Sequence, residues 1–94
     1  MSFRANDAVL HAPSGETWVL AADERHGEVV CAGWPESIAR AEDCSIVRVS
    51  TDEGRLAMLM NVAEHGGLRG SWARDDLRLM GVEPPAVRQG SLFE

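Results

Sequence analysis

Cys31, Cys44, His11, His26, His65 and Ser14 are the residues of this chain whose types could support chemistry. The two cysteines with any of the histidines would supply the N/S ligand set that zinc prefers. The spacing argues against it. No CxxC or HxxxH pair is present to place two ligands together, and the cysteines stand thirteen residues apart in apolar, strand-like text. They read instead as small buried hydrophobes of a reducing compartment. His11 with Ser14, or His11 with Asp43 and Cys44, could be written as a nucleophile set. Yet Ser14 belongs to Pro13-Ser14-Gly15, where a hydroxyl ordinarily bonds the neighbouring main chain. There is no GxSxG elbow, P-loop, GxGxxG or HExxH. The chain is therefore expected to be non-enzymatic, with no metal and no cofactor.

Binding is better served. Gly33-Trp34-Pro35-Glu36 follows a strand-like run, and the proline restricts the backbone of the residue before it. A restrained aromatic of this kind suits a peptide or a stacked base, although a tryptophan that lids the core is the plainer reading. Glu42-Asp43, Asp52-Glu53 and Asp23-Glu24 are solvated corners on the plain reading and docking points for a partner's arginines on the sharper one. The expected contact surface is Trp34, Pro35 and Glu36 with Arg40, Glu42 and Asp43. The alternative is a nucleic-acid or small-nucleotide binder in which Arg25, Arg40 or Arg48 meets phosphate beside the same loop.

Charge weighs on that choice. The 94 residues carry 15 acids against 9 bases, all nine of them Arg, for a net charge of −6. The excess is spread over both halves of the chain, and no basic stripe is present to neutralise phosphates. No apolar run approaches the ~20 residues that span a bilayer. The first residues lack the apolar stretch of a signal peptide, so the expectation is a cytoplasmic protein without membrane contact.

The elements that would position these groups fall into two halves. Residues 8–11, 16–22, 28–32 and 44–49 read as strands, the second and third forming a hairpin. Residues 38–43 read as a connector with one helical turn. From residue 50 the period changes. Ser50 and Glu53 have capping-box spacing, with Thr51 as the other candidate cap. Leu56, Leu59, Met60 and Ala63 follow at helical spacing, widened by Met58 and Val62. Gly66-Gly67 ends that helix, Ser71 caps a second, and Gly81 stops it. The expected fold is α+β: a small antiparallel SH3-like β-barrel or curved sheet over residues 8–49, then helices over 51–64 and 72–80. Residues 1–81 make one domain, and 82–94 form a flexible or docking tail. Met58, Met60 and Met80 leave a homo-oligomer through the helical face open, with core as the preferred role.

The pattern Asn6-Asp7-x-Val9-x-His11-x-Pro13-Ser14-Gly15-Glu16-x-Trp18-Val19, then Cys31-x-Gly33-Trp34-Pro35 and Asp43-Cys44, resembles a group of small proteins of phage and prophage genomes. The likeness extends over about residues 3–80. It departs at Asn6, where that group has Gly, and after His11, where the group has Lys. The resemblance implies no catalytic activity. It implies an accessory protein that binds a host or defence component, and anti-defence proteins are similar in size and charge.

Overall fold

The structure, a computed structural model, describes residues 2–33 and 37–87. It is α+β, with antiparallel strands β1 (Ala8–His11), β2 (Glu16–Val19), β3 (Glu28–Val30), β4 (Ile38–Arg40) and β5 (Cys44–Arg48), then helices α1 (Asp52–Ala63) and α2 (Gly67–Leu79). A single 3₁₀ turn, Ala41–Asp43, joins β4 to β5.

The strands do not close into a barrel. They form a three-stranded sheet in the order β2-β1-β5 and a separate two-stranded sheet, β3-β4. An isolated bridge between Leu20 and Cys31 links the two sheets. The expected β2–β3 hairpin is thus reduced to that bridge, flanked by Ala21 N–H to the Val30 carbonyl and Ala32 N–H to the Val19 carbonyl. The reason lies in the next residues. Glu24 N–H is held by the Phe3 carbonyl and Asp23 N–H by the Asp76 carboxylate. The chain is drawn off the sheet line before a ladder can extend. It returns through a tight turn at His26 and Gly27, both with positive φ, closed by an Arg25–Glu28 bridge.

Two apolar clusters result. Val9, Leu20, Val29 and Ala39 lie between the sheets, with Phe3, Trp18 and Cys44 at the margin. Ala5, Ala21, Ala22 and Val30 meet Leu59, Val62, Ala63, Trp72, Ala73 and Leu77 from the helices. Trp72 packs α2 onto the β-unit, and Trp18 is half-buried at the margin of the inter-sheet cluster. On α1 the buried stripe is Leu59, Val62 and Ala63, and Leu56 stays largely outside. Met58 and Met60 are half-buried against the helical cluster, so they serve the core.

Helix starts are set by local chemistry. Thr51, not Ser50, caps α1: its hydroxyl accepts from Gly54 N–H at 3.0 Å. Ser50 is buried, its own N–H held by Asp7 Oδ1 at 2.7 Å, and so belongs to the sheet side. α2 begins at Gly67 rather than after Ser71, with Gly66 as cap. The earlier start brings the Gly70 backbone against the end of α1, where a Cβ would lie 1.9 Å from the His65 carbonyl oxygen. Arg74 covers the same α1 terminus, donating to the carbonyls of Ala63 and His65 at 3.0 and 2.9 Å. Beyond the stop at Gly81, Val82 N–H bonds the Leu77 carbonyl and its side chain packs on the helical cluster. The last residues of the expected tail, 88–94, lie outside the described residues.

Candidate functional site

Trp34, Pro35 and Glu36, half of the expected contact surface, lie outside the described residues. The stems of their loop are well held. Cys31 N–H bonds the Ser37 carbonyl, and Arg69 of α2 donates to the carbonyls of Ala32 and Gly33, both at 2.8 Å. That anchoring arginine is invisible in the sequence, because the helix carrying it reads as starting after it.

Arg40, Glu42 and Asp43 lie at the opposite end of the β3-β4 hairpin from the connection that contains Trp34. The expected surface is therefore divided between two ends of one short ribbon. Arg40 sits directly across from Glu28 and forms an ion pair with Glu42. Asp43 is half-buried, and its carbonyl receives Ala12 N–H.

Around Arg40 and Glu42 the surface forms an open groove of about 610 Å³, shared with Glu24, His26 and Glu28. It adjoins a second groove of about 680 Å³ that has Glu24 and His26 in common with it and adds Arg25, Asp75 and Arg78. Many of these charges are paired within the chain, Arg40 with Glu42 and Arg78 with Asp75, and the same holds for Arg25. It donates to Asp75 at 3.2 Å, lies 3.7 Å from Asp76, and stacks over the Trp72 ring at 4.9 Å. Glu28 and Glu42 remain exposed on the rim. In the sequence Glu28 opens a strand and Glu24 belongs to the separate acidic pair Asp23-Glu24; the tertiary fold gathers them beside Glu42.

Asp23 is structural rather than a solvated corner, and Asp76, in the wall of the second groove, is bonded to it. Asp23 accepts from Ala5 N–H at 2.9 Å and from Arg55 Nε at 3.0 Å. Burial pushes its carboxyl up, but the Arg55 and Ala5 hydrogen bonds outweigh that and hold it below the ordinary carboxylate range. Asp76 is nearly inaccessible, and burial raises its carboxyl despite the hydrogen bond from Asp23 N–H.

The nucleophile and metal sets gain no support from geometry. His11 Nδ1 lies 2.8 Å from Ser14 Oγ, but that hydroxyl also bonds the His11 carbonyl and receives Glu16 N–H, which is turn chemistry. The His11 ring stacks on Trp18 at 4.5 Å. Cys44 faces His11 across the sheet; burial and then the nearby Asp43 and Glu24 push its thiol up, away from the thiolate a nucleophile needs. Among the described residues no group of three or more His, Cys, Asp or Glu is placed to hold a metal.

The arginines proposed for phosphate are committed elsewhere. Arg40 pairs with Glu42, Arg25 with the α2 acids, and Arg48 donates to the Asn6 carbonyl at 3.2 Å. The remaining surface feature is β5. Ile46, Val47 and Val49 are 47%, 59% and 67% exposed on a sheet edge. Beside them is an apolar cavity of about 450 Å³ lined by Phe3, Ile46 and Val49 among others.

No protein-family model, no curated protein and no solved structure matches the chain. Among the described residues no helix is long and apolar enough to cross a membrane.

Proposed function

We propose that this protein is a non-catalytic binding module for a partner protein, and that it takes a basic segment of that partner in the groove beside Arg40 and Glu42. The observation that carries the reading is the juxtaposition of Glu24, Glu28 and Glu42 along one open groove, with Asp75 in the groove adjoining it. Carboxylates gathered on one rim attract an approaching cation and accept arginine's planar fork in bidentate pairs. The His26–Gly27 turn supplies a backbone floor in which both residues hold positive φ. The Trp34 loop, at the far end of the same hairpin, is a second contact. The resemblance to phage and prophage proteins supports a host or defence component as the partner, and an anti-defence role with it.

A phosphate-binding function is the weaker reading, since Arg25, Arg40 and Arg48 already serve carboxylates or carbonyls of their own chain. One charge-reversal experiment separates the two. The Glu28→Arg/Glu42→Arg protein is compared with the parent for binding to an arginine-rich peptide and to a single-stranded oligonucleotide, in low and high salt. Loss of peptide binding, with the parent's affinity falling as salt rises, is the expected outcome. Unchanged peptide binding would sink the groove. Oligonucleotide binding by the parent that is lost on Arg40→Ala would replace it with the phosphate reading.

A further inference from the structure

Building on the groove reading above, we propose that His26 is a pH gate for that groove: the neutral imidazole admits a basic segment, and the protonated imidazole expels it. Arg25 and Glu28 exchange both main-chain hydrogen bonds at 2.9 Å, so His26 and Gly27 are the two central residues of a tight turn. Both have positive φ, 51° and 77°. That is the type I′ pattern, which Asn-Gly fills best. Gly27 takes the second place at no steric cost. At the first place the turn favours Asn, Asp or Gly, and an imidazole brings it nothing that Asn would not. A residue held against the local preference points to a use for its side chain.

The two grooves meet at that residue. His26 is exposed and lines both of them. In one it stands with Glu24 of its own segment, Glu28 of β3, Arg40 of β4 and Glu42 of the 3₁₀ turn. In the other it shares the wall with Arg25 and with Asp75, Asp76 and Arg78 of α2. With every carboxylate ionised, five acids against three guanidiniums leave a net charge of −2 around a neutral imidazole. Protonation of His26 halves that excess, and it does so at the point common to both grooves.

Imidazole is the side chain that changes charge between pH 5 and 8. Its positive charge opposes a cation bound in either groove. A like charge about 6 Å away weakens binding roughly 3- to 100-fold between the limits of bulk water and a protein surface. The neighbouring groups do not imitate this response. Guanidiniums stay charged throughout, and ordinary carboxylates titrate at about pH 4, below the range. Asp76, raised by burial, is bonded to Asp23 N–H and keeps its own response in any variant of His26. His11, stacked on Trp18, and His65, beyond the end of α1, line neither groove.

Binding of a capped arginine-rich peptide, free of His, Asp and Glu, is measured with the full chain at pH 8 and pH 5.5 in low salt. The parent should weaken by about tenfold at pH 5.5. His26→Asn should match the parent at pH 8 and change by less than about threefold between the two pH values. Its urea midpoint should stand at or above the parent's, because Asn suits the turn. His26→Lys, charged at both pH values, should bind weakly at both. A parent that binds equally at the two pH values, a His26→Asn protein that responds as the parent does, or a His26→Lys protein as tight as the parent at pH 8 would each overturn the gate and leave the groove reading standing. A lower urea midpoint for His26→Asn would assign the imidazole to the fold and overturn it as well. A parent that fails to bind the peptide at pH 8 would overturn the groove reading and the gate together.

Discussion

Asp23 and Asp76 are two residues apart from their ordinary chemistry in opposite directions, and they touch. Asp23 gains from Arg55 and Ala5 N–H; Asp76 loses to burial beneath Arg25 and holds Asp23 N–H in return. Their contributions to stability carry opposite signs. A carboxyl lowered in the fold stabilises it above the ordinary value of 3.8, and that contribution is lost as pH falls through the folded value. A carboxyl raised in the fold favours folding at low pH, and loses that contribution as pH rises through its own folded value. Asp23→Asn should therefore flatten the acid limb of stability measured by urea unfolding at stepped pH. A limb as steep as the parent's would show that Asp23 does not drive acid unfolding. These bonds remove Asp23 from the docking corner, and Phe3 N–H holds Glu24 Oε1 at 3.1 Å.

Among the elements, the helix starts show how local preference and tertiary demand divide the outcome. Ser50 and Thr51 both suit an N-cap, and Thr51 holds the position because the Ser50 hydroxyl accepts from Asn6 Nδ2 and donates to the Thr51 carbonyl. Ser71 also suits a cap, yet it stands inside α2, where its hydroxyl has no helix end to serve. Thr51→Ala should cost about 1 kcal/mol of unfolding free energy, and Ser71→Ala should fall within about 0.5 kcal/mol of the parent. Equal losses at the two sites would contradict an α2 that begins at Gly67. The sheet elements follow the same division. β1 and β5 form where alternation and β-branching place them, but β3 pairs with β4 because residues 23–25 are tied to the N-terminal segment and to α2.

For the molecule as a whole, two apolar clusters share one backbone. Leu20 faces the inter-sheet cluster while Ala21 and Ala22 face the helices, and Val29 and Val30 divide in the same way. Residues adjacent in the chain thus serve both clusters, so neither can loosen without disturbing the other. Leu20→Ala and Leu77→Ala should each cost about 2–5 kcal/mol. Near-ultraviolet and far-ultraviolet circular dichroism should report one coincident transition for each variant. Separate transitions would mean that the sheets and the helices unfold independently. The charge-reversed groove variant leaves both clusters untouched and should melt with the parent, so a loss of binding there is a surface effect.

The sequence by itself determined that strands precede two helices, that the chain turns at Gly15 and that the second helix stops at Gly81. These are local matters: a positive φ, a capping hydroxyl or a 3.6-residue period acts over a few residues and leaves its mark in the text. Tertiary structure decided which strands pair, where α2 starts, and that Arg25, Asp23 and Asp76 are structural. It also decided that Arg40 and Glu42 sit with Glu24 and Glu28, away from the connection that contains Trp34. Each of those depends on groups far apart in the chain competing for one hydrogen bond or one buried position. Nor could alternation alone reveal that Ile46, Val47 and Val49 remain exposed, since a strand's own residues do not state whether another strand covers its edge.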